Sequence, residues 1–145
     1  MVAEHFDIET LSRIALGRHW RSLDTAEQKQ VSTLMRKVVA SSYASRFPLY
    51  QDEYFEVVAE SSVGSSRHTI KTVLHSSKKE VAMDYQLIHV ADRFLIYDIV
   101  AEGVSDLALK RSMYSALLST EGLPGLLALL EKTISDNASN AAINP

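Results

Sequence analysis

Cysteine is absent from this 145-residue chain. That excludes a disulfide scaffold, cysteine-ligated zinc and a thiol nucleophile. It assigns no redox compartment, because a single domain of this length buries a sizeable core without bridges. Only three prolines and five glycines punctuate the chain, and no Gly-rich phosphate loop is among them. Positive charge is not in excess: the formal net charge is -3, and no face is obviously basic, which argues against a nucleic-acid partner. No apolar run approaches about 18 residues, the length of a membrane span. The start, MVAEHFD, lacks the charged-then-apolar pattern of a signal peptide. The five histidines include no H-x-x-x-H or H-x-H pair, so no metal site is expected.

What is present centres on Arg93–Ser105, RFLIYDIVAEGVS. From Phe94 to Glu102 only Asp98 and Glu102 are charged, and the rest are residues that suit a pleated sheet. A continuous apolar run closed by a glycine reads as a strand buried on both faces. Leu95, Tyr97, Ile99 and Ala101 form one apolar row. Asp98 falls on the other, where a carboxylate needs a partner.

The remainder falls into three groups. Towards the N-terminus, His5–Leu16 is a helix with Asp7 as its N-cap, and Arg18–Leu23, which holds Trp20, is a short helical continuation. A second helix opens at Thr25 with Gln28 as a capping box and runs to about Arg46, with Val31, Leu34, Met35, Val38 and Val39 at helical spacing. Three further strands precede the central one: Tyr54–Glu60, with Phe55, Val57 and Ala59 on one side; Arg67–His75, with Ile70, Thr72 and Leu74; and Val81–Val90, with Val81, Met83, Tyr85, Leu87 and His89. Ala91–Asp92 is short enough for a hairpin, and short connections favour an antiparallel meander. After Gly103 the period turns helical. Ser105 or a neighbour caps a helix to about Thr120, with Leu109, Met113 and Leu117 on one side and Leu107, Tyr114 and Leu118 on an adjacent one. Gly122 breaks it, and Pro124 begins a last helix striped by Leu123, Leu126, Leu127, Leu130 and Ile134. Asp136–Pro145 has no period and reads as a disordered tail.

Helices at both ends of a run of strands predict an α+β fold: a curved, mainly antiparallel four-stranded sheet, a meander, packed against helices and enclosing an apolar cavity. The chain forms one domain over residues 1–135. Two readings of its chemistry follow. Asp84, Tyr85, Tyr97 and Asp98 come near one another across paired strands and could serve acid–base chemistry in a small cone-shaped isomerase or dehydratase. The plainer reading makes the tyrosines core or cavity lining and the aspartates structural. The leucine-rich helices carry more apolar surface than a core stripe needs, which points to a partner interface or an internal pocket.

The run Tyr97-Asp98-Ile99-Val100-Ala101-Glu102-Gly103-Val104-Ser105 resembles the Y-D-V-x-x-E-G-V-S corner of the MlaC family, the toluene-tolerance auxiliary component of ABC phospholipid transporters. Other matches fall in the same order: Phe6-Asp7, Ala15-Leu16-Gly17-Arg18 with Trp20, Thr25 to Gln28, Tyr43-Ala44 before Arg46, Asp84-Tyr85, Arg111-Ser112, and Glu121-Gly122 with Gly125-Leu126. The likeness spans about Phe6 to Lys132. It implies a periplasmic, non-enzymatic carrier without cofactor or metal. Such a carrier shuttles glycerophospholipid between an outer-membrane lipoprotein complex and an inner-membrane ABC transporter with an MCE-domain subunit. The family's pattern places a signal peptide and a further helical segment ahead of Phe-Asp, and this chain is expected to lack both. Under this reading the lipid-binding candidates are Met35, Val38, Val57, Ile70, Tyr85, Leu87, Tyr97, Ile99, Leu109, Met113, Leu117 and Leu130.

Overall fold

The computed structural model of the chain describes residues 2–46 and 53–143. After a 3-10 turn at Val2–His5, helices α1 (Ile8–Leu16), α2 (Arg18–Ser22) and α3 (Thr25–Arg46) precede strands β1 (Tyr54–Val63), β2 (Arg67–His75), β3 (Glu80–Val90), β4 (Arg93–Ala101) and β5 (Val104–Ser105). Helix α4 (Asp106–Ile143) closes the order. The expected α+β class and antiparallel meander are both present, but the sheet has five strands in sequence order rather than four. The extra one, β5, pairs Val104 with Ala101 and Ser105 with Val100. It forms because Glu102 (φ 51°) and Gly103 (φ 79°) are both left-handed, the conformation a two-residue hairpin turn requires.

Local chemistry sets the helix ends. Asp7 accepts hydrogen bonds from the Thr10 amide at 3.1 Å and the Thr10 hydroxyl at 2.6 Å, and so caps α1. The capping box of α3 lies one residue earlier than expected. The Glu27 amide donates to Asp24 Oδ1 at 2.8 Å and the Asp24 amide to Glu27 Oε2 at 2.9 Å, while Gln28 instead donates to the Trp20 carbonyl at 2.9 Å. Helix α4 bends at Gly122, which sits at φ 69° and ψ -167°, two residues before Pro124. It then continues to Ile143, past the point where a disordered tail was expected. Lys132 and Asp136 pair at 2.7 Å, and Asn137 donates to Ser41 at 3.0 Å and Ser42 at 3.2 Å, tying that last stretch to α3.

Strand β4 is half-buried from Leu95 to Ala101, not buried on both faces. Its outer edge is covered by β5 at one end and by a parallel bridge to Phe6 near the other, where the Asp7 amide donates to the Ile96 carbonyl at 2.8 Å. The expected row of Leu95, Tyr97, Ile99 and Ala101 is also broken. Leu87 pairs with Ile96 and Gln86 with Asp98, leaving Tyr97 as an extra residue. Such a bulge reverses which alternate residues face the core. Ile99 and Ala101 therefore share a face with Tyr85 and Met83, whereas Leu95 pairs with Ile88 on the opposite face. A second irregularity at Val58 does the same to β1: Val57 opposes Thr72, but Glu60, not Ala59, opposes Ile70.

The dry core is helical. Leu16, Val31, Met35, Val38, Leu126 and Leu130 are its fully buried large side chains, with Ile96, Tyr97 and Ile99 packed against it from the sheet. Among the described residues the helices meet the sheet chiefly along β4 and β5. An 18-residue window of α4 reaches a mean hydropathy of 1.3, enough by length and composition to cross a membrane, with 22% of that window buried. The helix bends at Gly122, and its Tyr114, Leu118, Leu126 and Leu130 belong to the buried cluster.

Candidate functional site

The most specific stretch of sequence proves to be a joint. Asp98 accepts the Ser105 hydroxyl at 2.5 Å and the Leu107 amide at 3.0 Å, and Ser105 Oγ accepts the Ala108 amide at 3.0 Å. Two of the amides that open α4 are thereby satisfied. Glu102 bonds twice across to β3: its carboxylate accepts from the Ala82 amide and its own amide donates to the Ala82 carbonyl, both at 2.9 Å. The effect is to pin the first turn of α4 against the end of β4.

A cleft of about 210 Å³ opens beside this joint. Phe6 and Leu11 from the N-terminal segment, Val39 from α3, Met83 from β3, Ile99 and Ala101 from β4, and Leu107 from α4 line it. Phe6, Leu11, Val39, Met83 and Leu107 are buried, which makes an apolar floor, whereas Val104 and Leu109, also lining it, are about half exposed and mark the mouth. Polar lining comes from Ser42, Asp98, Asp106 and Lys110. Asp106 and Lys110 form a short ion pair one turn apart. Behind it, burial and then the negative charge of Asp106 push the Tyr114 hydroxyl well above its ordinary pKa, so it stays neutral. A second depression, about 400 Å³, lies between α1, α2 and α3 and is rimmed by Glu9, Lys29, Ser32, Thr33 and Arg36.

Among the described residues the expected cavity for acyl chains is not present as a large enclosed void. At this size the cleft falls below the roughly 300–1,000 Å³ of ordinary small-molecule sites. Of the candidates named from sequence, Tyr97, Ile99 and Leu109 line it. Met35, Val38 and Leu130 are fully buried in the helical core. Leu87 is buried on β3, and Ile70, Tyr85 and Leu117 are half-buried elsewhere. Val57 and Met113 are 59% and 50% exposed. Phe6, Leu11 and Val39 also line the cleft and were not among those candidates. Their place in the cleft depends on the contact of Phe6 with Ile96, which no local pattern announces.

Only part of the acid–base set meets at the cleft. Asp84 opposes Val100 and Asp98 opposes Gln86, so the two carboxylates are diagonal neighbours across β3 and β4, but Asp98 is committed to the start of α4 and only Tyr97 and Asp98 of the four line the cleft. Among the described residues no histidine–carboxylate group is arranged to hold a metal. The closest grouping is His75, whose Nε2 meets Glu56 at 2.8 Å and whose Nδ1 meets Glu80 at 3.1 Å. These partners take different nitrogens of one ring and so cannot share an ion with it.

A family model described as MlaC protein matches residues 1–132. Among solved structures, the chain is similar to a phospholipid-binding protein of Ralstonia solanacearum determined in complex with a phospholipid. The TM-score is 0.83 at 17% sequence identity, over 94% of this chain and 78% of that one. At that identity the likeness speaks for a shared fold.

Proposed function

The chain belongs to the MlaC family, and from that premise we propose that it is a phospholipid-binding carrier rather than an enzyme. The observation that carries the reading is the apolar-floored cleft at the seam between helices and sheet, with charged groups confined to part of its lining. A phospholipid has the same division. Exposing an acyl chain to water costs about 0.8 kcal/mol per CH₂, so two ordinary chains cost on the order of 20 kcal/mol. A carrier lowers that barrier by supplying a dry lining, and it needs no catalytic group.

The finer reading follows the family: a periplasmic shuttle for glycerophospholipid between an outer-membrane lipoprotein complex and an inner-membrane ABC transporter with an MCE-domain subunit. The cleft takes the first part of an acyl chain. Accommodating more requires the sheet to separate from the helices. The seam is suited to this, because the two layers join mainly along β4 and β5. The other candidates on the sheet, Ile70, Tyr85 and Leu87, then become lining as the seam widens. Organic extraction of protein purified from a Gram-negative host, followed by mass spectrometry, tests the proposal. Phospholipid near one molecule per chain is expected; consistently empty protein that also refuses lipid from vesicles contradicts it.

A further inference from the structure

The charged groups of the cleft are unevenly committed. Asp98 is held by a hydroxyl and a backbone amide at the start of α4. Asp106 and Lys110 pair with each other, and both line the cleft. The Lys110 side chain is 15% exposed and that of Asp106 is 40% exposed. They sit beside Val104 and Leu109 at the mouth, with Leu107 on the floor below. A molecule whose tail enters along the floor brings its polar end to this pair.

We infer that Asp106 and Lys110 form a headgroup clasp that exchanges partners with a zwitterionic phospholipid, Lys110 taking the phosphate and Asp106 the headgroup ammonium. This rests on the carrier reading and deepens it. The reason is charge matching. Opening the pair frees one cation and one anion in a partly buried place, and a lone charge there is unfavourable. A zwitterion supplies one of each, so both are matched again. A net-anionic headgroup satisfies Lys110 and leaves Asp106 facing a like charge. A diacylglycerol satisfies neither but leaves the original pair intact. The structure thus assigns the cleft a preference by net headgroup charge, set by Asp106, and a phosphate contact, set by Lys110.

The test uses the full chain stripped of lipid and offered vesicles containing equal phosphatidylcholine and phosphatidylglycerol, with bound lipid counted by native mass spectrometry. Unmodified protein is expected to favour phosphatidylcholine by about threefold, the scale of a partly exposed ion pair. Asp106→Asn is expected to abolish or reverse that ratio, because Lys110 is left as an uncompensated cation. Lys110→Met is expected to lower uptake of both lipids but not of diacylglycerol, and Lys110→Arg to restore it. Circular dichroism checks that each variant is folded, and the arginine variant keeps the test decisive should Lys110→Met fold poorly. Inorganic phosphate added in excess is expected to leave lipid uptake unchanged. A ratio near one in the unmodified protein, or a ratio untouched by Asp106→Asn, overturns the clasp while leaving the carrier reading in place. Displacement of bound lipid by inorganic phosphate assigns the pair to free phosphate and also overturns it. Refusal of every lipid, diacylglycerol included, overturns both.

Discussion

The helical layer and the outer half of the sheet use apolar residues in opposite ways. On α1, α3 and α4, residues such as Leu16, Met35, Leu126 and Leu130 are sealed from water. On β1, Phe55, Val57, Val58 and Val63 are between 38% and 75% exposed. Burial of a leucine or valine side chain is worth about 1.5–3 kcal/mol, so the first group holds the molecule together and the second contributes little. The cleft lies where these regimes meet. Stability and ligand binding are therefore separable: the sealed helical layer supplies a rigid frame, and the seam beside β3 and β4, not the outer strand, supplies the apolar surface that meets a guest.

Substitution should expose this division. Leu130→Ala opens a cavity in the sealed layer and is expected to cost about 2–5 kcal/mol in urea unfolding, while Val57→Ala on β1 is expected to stay within about 0.5 kcal/mol. Comparable losses at the two positions would erase the contrast. Next in size is the joint between layers. Asp98→Ala removes two hydrogen bonds at the start of α4 and should cost about 1–2 kcal/mol. A larger fall in bound lipid than in folded fraction would instead give Asp98 a direct role in binding. Gly103→Ala places a side chain at φ 79°, where about 1–2 kcal/mol is expected; no measurable loss would mean the β4–β5 turn is not needed to set α4.

Two smaller effects sharpen the picture. The Tyr114 hydroxyl has its pKa raised above the ordinary tyrosine value of 10.0, first by burial and then by the charge of Asp106. Its unfolded form releases its proton first as pH rises, so its contribution is complete below about pH 10 and declines above it. Stability should fall in that alkaline range, and Tyr114→Phe should flatten the fall; an unchanged profile would place the titrating group elsewhere. Smallest in stability, but aimed at function, is Ala101→Phe. It fills the half-buried cleft wall, so lipid content is expected to drop by at least half while the melting temperature moves by only a few degrees.

How much of this was legible from sequence depends on distance along the chain. The Asp7 cap, the stripe of α3, the hairpin at Ala91–Asp92 and the break at Gly122 are local, and each was readable. The box of α3 was misplaced by one residue because Asp24 with Glu27 and Thr25 with Gln28 satisfy the same spacing. The face of β4 was misassigned because one inserted residue, Tyr97, reverses a period-two pattern without changing composition. The continuation of α4 past Asp136 depends on Asn137 reaching serines nearly 100 positions away. The cleft was least legible. It needs Phe6 beside Ile96 and Met83 across from Ala101, and long-range pairing of that kind leaves no trace in hydropathy. The family resemblance rested on the Tyr97–Ser105 run, in which Tyr97, Asp98, Ile99, Ala101 and Val104 line the cleft while Glu102 and Ser105 brace it.

The central claim is that acyl chains occupy the seam bounded by Met83, Ile99 and Leu107. The most direct measurement is intermolecular NOE spectroscopy on methyl-labelled, otherwise deuterated protein loaded with protonated phospholipid. The methyls of Met83, Ile99 and Leu107 are predicted to show contacts to chain CH₂ protons, with those of Val57 and Val63 silent. Contacts confined to β1, or a loaded sample in which the seam methyls see no lipid, would contradict the account.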